Sequence, residues 1–382
     1  MRKLLIILGV PIDDLNMEQA LARLEGFIWI GRATGKSHQI ATVNADFVVN
    51  SLHDTDLRRI LQEADMATAD GMPLVLGARL LGVPLTDRVT GADLVSALAG
   101  RAAQEGFSIY LLGARPGVGL RAAEILQDRY LGLRIAGVLS PPNRPIQEMD
   151  RSILDDIKAA NPDILLVALG NPKQEKWIRM YAGELAVPVC IGVGGTFDMI
   201  AGITKRAPRW MQRAGLEWLF RLLQEPRRLW KRYVLDMVYF GYFFVRQWWN
   251  MRRGENPATL LPTSEPVIVD QTVILNIQGR MDVGNLAAFV EQAEQALDAS
   301  PRLIVNLSQA MFLDSSAMGT LVALTNRARA AGGSLRLVAV PPPIAKTLSL
   351  VRLDLFFDIY EDVDAAMHIP MPLMPLPHTG GI

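Results

Sequence analysis

Five short stretches hold the residues of this chain best suited to chemistry, and each follows an apolar run. ATVNADF offers Thr42, Asn44 and Asp46, and TADGMPL offers Asp70 backed by Gly71. LLGARPGVG offers Gly113 and Arg115, ALGNPKQEKWI offers Asn171, Lys173 and Gln174, and IGVGGTFDMIAG offers Gly194 and Gly195. Open α/β sheets bind ligands at the carboxyl ends of their strands, where such loops fall. The amides of LLGARPGVG open a helix and can hold a phosphate. The glycines let backbone approach a ligand closely or turn tightly. Each loop alone is more commonly plain turn or cap chemistry. Five of them at strand ends, in order, point to one cleft.

A second feature is a stretch from Ile203 to Arg253 that is basic and aromatic at once. It holds twelve Lys and Arg against three acids, and five of the seven Trp, in a chain whose 39 basic and 39 acidic residues cancel. Such a segment suits a surface that is anionic and greasy, as a bilayer is. No run reaches the roughly 18 apolar residues of a spanning helix. Tyr233 to Val245 comes nearest, and Asp236 interrupts it. It reads as interfacial, with Trp248 and Trp249 at headgroup depth. The alternative is a core or dimer helix. The single Cys190 excludes an internal disulfide framework and suits a reducing compartment. MRKLLIILGVPIDDL has too short an apolar run for a secretion signal and reads as a buried first strand.

These features need elements to position them. The first 200 or so residues alternate short apolar runs with helical periods, the pattern of βαβ units and a mainly parallel sheet. Strands are expected at Lys3–Leu8, Gln39–Val43, Met66–Ala69, Ser108–Leu112, Arg134–Val138, Ile164–Ala168 and Val189–Val193. Helices are expected at Gly119–Tyr130 and Met149–Ala160. The chain then turns continuously helical and basic. The expected organisation is a Rossmann-like α/β domain over 1–202 and a helical, membrane-docking appendage over 203–253. A Pro-rich linker over 254–265, a small α/β domain over 266–368 and a Pro-rich tail over 369–382 follow.

The motifs TVNADF, Asp70-Gly71, RVTGADL, LLGARPGVG, GNPKQE, GVGGTFD, KRAPRWMQRAGLEWLFRL and EPRRLWKRY, in that order, resemble the WecG/TagA/CpsF glycosyltransferases (glycosyltransferase family 26). The likeness covers roughly residues 3 to 245. It implies a Rossmann-like domain completed by a C-terminal helical appendage that docks on the membrane. It also implies an inverting, metal-independent transfer of a sugar from a UDP donor, with no cofactor. The acceptor is a polyprenyl-diphosphate-linked sugar at the cytoplasmic face of the plasma membrane, so the protein is expected to be cytoplasmic and peripheral. Members serve teichoic-acid or surface-polysaccharide synthesis and commonly move N-acetylmannosamine or a related hexose.

On that resemblance Asp70 is the general base that takes a proton from the acceptor hydroxyl. Thr42, Asn44 and Gln174 line the pocket and help hold a reactive pose. Without a metal, the departing diphosphate needs cations or amides. Arg221, Arg228 and Lys231, seven and three apart on one helical face, are the candidates. Their alternative role is a basic face for anionic lipid. Lys231 stands where many members carry Arg, which weakens the case for bidentate phosphate contact there. GVLSPPNRPIQE departs from a Gly-Tyr-Phe-like turn of many members, so the donor sugar stays open.

Residues 266 to about 368 resemble a STAS domain through VILNIQGRMDVGN, RLIVNLSQAMFLDSSAMGTLVAL and GGSLRLVAV. FLDSSAMG matches the family's phosphorylation loop, with Ala317 in a usual Gly place. Asp314, Ser315 and Ser316 are the regulatory candidates, and added phosphate there would block partner docking. The plain alternative is a helix cap. This half reads as a partner-binding or regulatory module, and nothing in the chain points to nucleic acid. A competing view of the whole is a non-catalytic UDP-sugar-sensing scaffold that signals through STAS. Retention of Thr42, Asp70 and Gln174 argues against it. An NAD-dependent enzyme is disfavoured because the GARPGVG spacing is not the dinucleotide one.

Overall fold

The computed structural model describes residues 2–213, 216–224, 226–253, 266–282 and 284–368. The chain divides into two compact units, Ile7–Arg246 and a second made of Met1–Ile6 with Gln247–Ile382.

The larger unit is α/β. Its six-stranded sheet runs Met66–Ala69, His38–Val43, Val189–Gly192, Ile164–Ala168, Ser108–Gly113, Arg134–Leu139 from edge to edge. Every neighbouring pair is parallel. Parallel sheets are covered on both faces, so their strands carry continuous apolar runs. The strand Ile164–Ala168 makes this visible. Ile164 and Leu166 join a core with Phe107 and Phe197, whereas Leu165 and Val167 join another with Tyr110 and Trp177. Alternate side chains thus point into opposite layers. Full burial of side chains this size contributes roughly 1.5–3 kcal/mol each, whereas the edge strand Arg134–Leu139 is only partly buried.

Because all six strands run the same way, their carboxyl ends share one edge. The first strand of the sheet, His38–Val43, has the second strand, Met66–Ala69, on one side and the last, Val189–Gly192, on the other. That reversal of strand order opens the crevice where such sheets bind ligands.

Six expected strands fall in this sheet within a residue or so of their predicted bounds. The seventh does not. Leu4–Ile7 lies outside it, and a further short strand at Val10–Asp13 follows. The expected continuous helical run after Ile203 is also broken, into Arg209–Arg213, Glu217–Gln224 and Pro226–Arg253. Arg221 falls in Glu217–Gln224 and Lys231 in Pro226–Arg253.

The long helix buries Phe240 and Phe244, whose rings stack with centroids 5.6 Å apart. Phe244 packs so closely on Gly77 that a Cβ there would sit 2.9 Å from its ring. Trp230, Val234, Met237, Val238, Tyr242 and Val245 are exposed. No described helix is long and apolar enough to cross a membrane.

The smaller unit carries a five-stranded sheet in the order Asp358–Tyr360, Ser334–Val338, Arg302–Leu313, Thr272–Met281, Val267–Val269. Only the last pairing is antiparallel. Its core includes Leu4 and Ile6 from the start of the chain. A Cβ on Gly319 would fall 2.3 Å from the Leu4 carbonyl oxygen, and the buried Gln247 donates its amide to the Ile6 carbonyl at 3.0 Å. The chain's first strand is thus built into this unit. The expected linker over 254–265 and tail over 369–382 lie outside the described residues.

Candidate active site

Asp70 follows directly on the strand Met66–Ala69. Its backbone N–H donates to the Val43 carbonyl at 2.7 Å, which fixes the turn against the neighbouring strand. Gly71 takes φ 139, a conformation that a side chain would strain, and the helix Met72–Leu80 starts there with no side-chain cap. The Asp70 carboxylate is therefore not spent on capping its own helix. It accepts instead from the Gly91 N–H at 3.0 Å, across 21 residues of chain.

Gly91 is where several groups converge. A Cβ built there would stand 3.2 Å from Thr42 Oγ1 and 3.4 Å from Asp70 Oδ2. Gly91 begins the helix Gly91–Glu105, which Thr90 caps by accepting from the Asp93 N–H at 3.2 Å. Asp93 in turn takes a two-pronged pair from Arg206, at 2.6 and 2.7 Å. That fork ties the start of the basic segment to the helix whose amide holds Asp70. Forked Arg–carboxylate pairs combine charge with fixed geometry.

Around Asp70 lie Arg88, Arg206, Arg221 and Glu217. Burial raises the Asp70 pKa above the ordinary carboxylate range. The Gly91 amide and the charges of Arg221 and Arg88 oppose that shift, and Glu217 adds to it. Arg206 feels the Asp70 charge as well. A carboxylate with a raised pKa beside guanidinium groups can take a proton from a hydroxyl while the cations receive negative charge on a leaving group.

The remaining loop residues fall into two sets. Asn44 caps the helix Ala45–His53, accepting from the Phe47 N–H at 3.2 Å, and its Cβ lies close to Gly71. Thr42 is buried and donates to the Gly192 carbonyl at 3.1 Å. Gln174 is buried too, and its Oε1 accepts from Gly170 N–H at 3.1 Å and Gly194 N–H at 3.0 Å. It ties two strand-end loops together from beneath, and is placed to position them. Gly194, at φ 52, and Gly195, at the start of the helix Thr196–Ile200, form one of those loops. Asn171 donates to Asp46 at 3.0 Å, while its own Oδ1 is buried with no hydrogen-bond partner.

Other expected residues stand further from this focus. Gly113 has φ 106, and a Cβ there would meet the Ala168 carbonyl at 2.5 Å, so a glycine is needed for strand packing. Arg115 is exposed and pairs with Asp198 at 2.8 Å. Lys173 donates to Asn143 at 3.0 Å, with its pKa lowered by burial. Lys231 is exposed, its ammonium 5.7 Å from the Trp230 ring centroid. The side chain of Arg228 lies outside the described residues.

Residue-by-residue reading of the sequence missed Arg88, Gly91, Asp93, Arg206 and Glu217. Thr90-Gly91-Ala92-Asp93 carries the spacing of a capping box and marks a helix start. Nothing local says that its amide turns toward Asp70. Glu175 was also missed. It is buried against Gln174, which donates to it at 2.7 Å, and burial drives its pKa up to about 8, against that hydrogen bond.

In the smaller unit Asp314 caps the helix Ser315–Ala330, accepting from the Ala317 N–H at 2.7 Å. Ser315 is 0% and Ser316 6% exposed.

Residues 5–254 match the profile of the Glycosyl transferase WecG/TagA/CpsF family, and residues 264–366 match the STAS domain. The chain is 36% identical over 225 residues to the N-acetylglucosaminyldiphosphoundecaprenol N-acetyl-beta-D-mannosaminyltransferase of Bacillus subtilis (strain 168), spanning 59% of this chain and 84% of that protein. It is 34% identical over 193 residues to the enzyme of that name from Bacillus spizizenii, spanning 50% of this chain and 73% of that one. A solved anti-sigma factor antagonist from Thermotoga maritima is similar at 27% identity, over 27% of this chain and 90% of that one, with a TM-score of 0.26.

Proposed function

The chain belongs to the WecG/TagA/CpsF family of glycosyltransferases, and on that premise we propose that it moves an N-acetylmannosamine-type hexose from a UDP-sugar to a polyprenyl-diphosphate-linked N-acetylglucosamine. The transfer is inverting and needs no metal ion. It takes place at the inner face of the plasma membrane and serves a teichoic-acid-type or other surface glycan.

One observation carries the reading. The Asp70 carboxylate is held by the Gly91 amide at the carboxyl edge of the sheet, within electrostatic reach of Arg88, Arg206 and Arg221. Asp70 takes the proton of the acceptor hydroxyl as its oxygen bonds to the anomeric carbon. The bond to UDP breaks on the opposite side, and the guanidinium groups receive the charge released on the diphosphate. Those three cations do the work that a divalent ion does in metal-assisted transfer. The relatives' names specify a β-linked product, which an α-linked UDP donor yields by inversion.

The exposed aromatic and aliphatic side chains of Pro226–Arg253, among many cations, suit a headgroup layer and bring the site to a lipid-borne acceptor. The STAS half is read as a module for a protein partner. Ser315 and Ser316 are buried, so a kinase acting on them needs the start of their helix to open.

The test uses the full chain with UDP-N-acetylmannosamine and a short-chain polyprenyl-diphosphate-N-acetylglucosamine. Expected are a single transfer with inverted configuration, turnover unchanged by EDTA, and loss of turnover in Asp70→Ala. Undiminished turnover in that variant overturns the assignment of the base. Dependence on an added cation overturns the role given to the arginines.

A further inference from the structure

Three guanidinium groups converge on one carboxylate at the edge of the proposed site. Glu217 lies 3.8 Å from Arg88 Nη1, 3.6 Å from Arg206 Nε and 3.9 Å from Arg221 Nη2. Charge-assisted N–H···O bonds close to about 2.7–2.9 Å, and none of these three does. Arg206 Nε is buried and makes no hydrogen bond. Its two terminal nitrogens are spent on Asp93, so this third donor is held in place with nothing to bind. The Glu217 side chain is only 15% exposed, so water does little to screen the group. Two oxygens therefore sit in a cradle too wide for them, lined by donors from three separate segments of the chain.

We propose that Glu217 is a built-in stand-in for the donor diphosphate: it gathers Arg88, Arg206 and Arg221 and gives them up to the nucleotide. The inference rests on the reading of this site as one for a UDP-sugar. A diphosphate brings more oxygens and more charge than a carboxylate. It can draw each guanidinium into full hydrogen-bond contact where Glu217 cannot, and it can satisfy Arg206 Nε. Glu217 begins the helix Glu217–Gln224 that also bears Arg221. Release of the carboxylate therefore frees the arginine of the same helix, so that one short helix carries both the stand-in and one of the cations it holds. Glu217 is a positioning residue that lowers donor affinity, in return for cations that are already assembled.

The experiment compares the full-length wild type with Glu217→Gln, by calorimetric titration with UDP and with uridine as the phosphate-free control. Expected is UDP binding about tenfold tighter in the variant, equivalent to ~1.4 kcal/mol, with uridine binding unchanged. The donor KM falls in parallel while kcat does not rise. Unchanged or weaker UDP binding overturns the proposal, because a merely structural carboxylate would give that result. If Glu217→Gln melts well below the wild type, Glu217→Ala is judged on the same two titrations. A wild type that binds UDP no better than uridine counts against the UDP-sugar reading itself. A wild type that prefers UDP, with no tightening in the variant, sinks only the stand-in role.

Discussion

Asp70 and Asp314 each follow directly on a parallel strand, with a helix starting one residue after Asp314 and two after Asp70. Asp314 folds its carboxylate back onto Ala317 N–H, the third residue of the helix it opens. Asp70 leaves its own helix uncapped and reaches the Gly91 amide of another, amid Arg88, Arg206 and Arg221. The difference comes from the next residue. Gly71 at φ 139 turns the backbone away from capping geometry, whereas Ser315 enters the helix directly. Whether its own helix consumes it thus decides whether a strand-end carboxylate is committed to a cap, as Asp314 is, or can serve the chemistry proposed for Asp70.

Several experiments can break or sharpen that contrast. The largest effect is expected for Asp70→Asn, which keeps the shape and removes the proposed base. kcat should fall about 10²–10⁴-fold with little change in melting temperature, and a small loss would erase the contrast. Gly192→Val should come next. A Cβ there already meets Glu175 Oε1 at 2.5 Å and Gln174 Nε2 at 2.6 Å, so the bridge between the Gly170 and Gly194 loops must shift. Overpacking of this kind costs about 1–3 kcal/mol, read as a lower denaturant midpoint, together with reduced turnover.

Smaller effects follow. Glu175 is ordinarily half-ionised near 4.5 and is driven to about 8 by burial. The folded protein holds this proton more tightly than the unfolded chain. Its contribution to stability is complete below the unfolded pKa and is lost as pH rises through the folded value. Stability should decline between about pH 5 and 8, by on the order of 1 kcal/mol per pH unit at most, and Glu175→Gln should flatten that decline. An unaltered pH dependence in the variant would show that the group is ionised when folded. Asp314→Ala should cost about 1 kcal/mol, as loss of an N-cap does, and leave transfer intact.

Much of this molecule was legible in its sequence because parallel strands buried on both faces write themselves as apolar runs. Ile164–Ala168 and Met66–Ala69 have the bounds that their composition sets. The strand-end loops were legible for the same reason, since the strands aim them. What escaped depends on contacts between distant segments. That Gly91 donates to Asp70, or that Arg206 grips Asp93 across 113 residues, leaves no local pattern. Gln174 reads as a pocket residue from its loop and stands in the structure as a buried bridge. The first strand escaped because an apolar run does not say which sheet receives it, and Leu4 and Ile6 enter the core of the smaller unit.

The most direct measurement sets Asp70→Asn beside Asp314→Ala in the full-length protein, with sugar transfer to the lipid acceptor and melting temperature read on both. The account predicts that the first variant loses transfer and keeps its stability, while the second keeps transfer and melts lower. Full turnover by Asp70→Asn, in a protein that melts like the wild type, would contradict it.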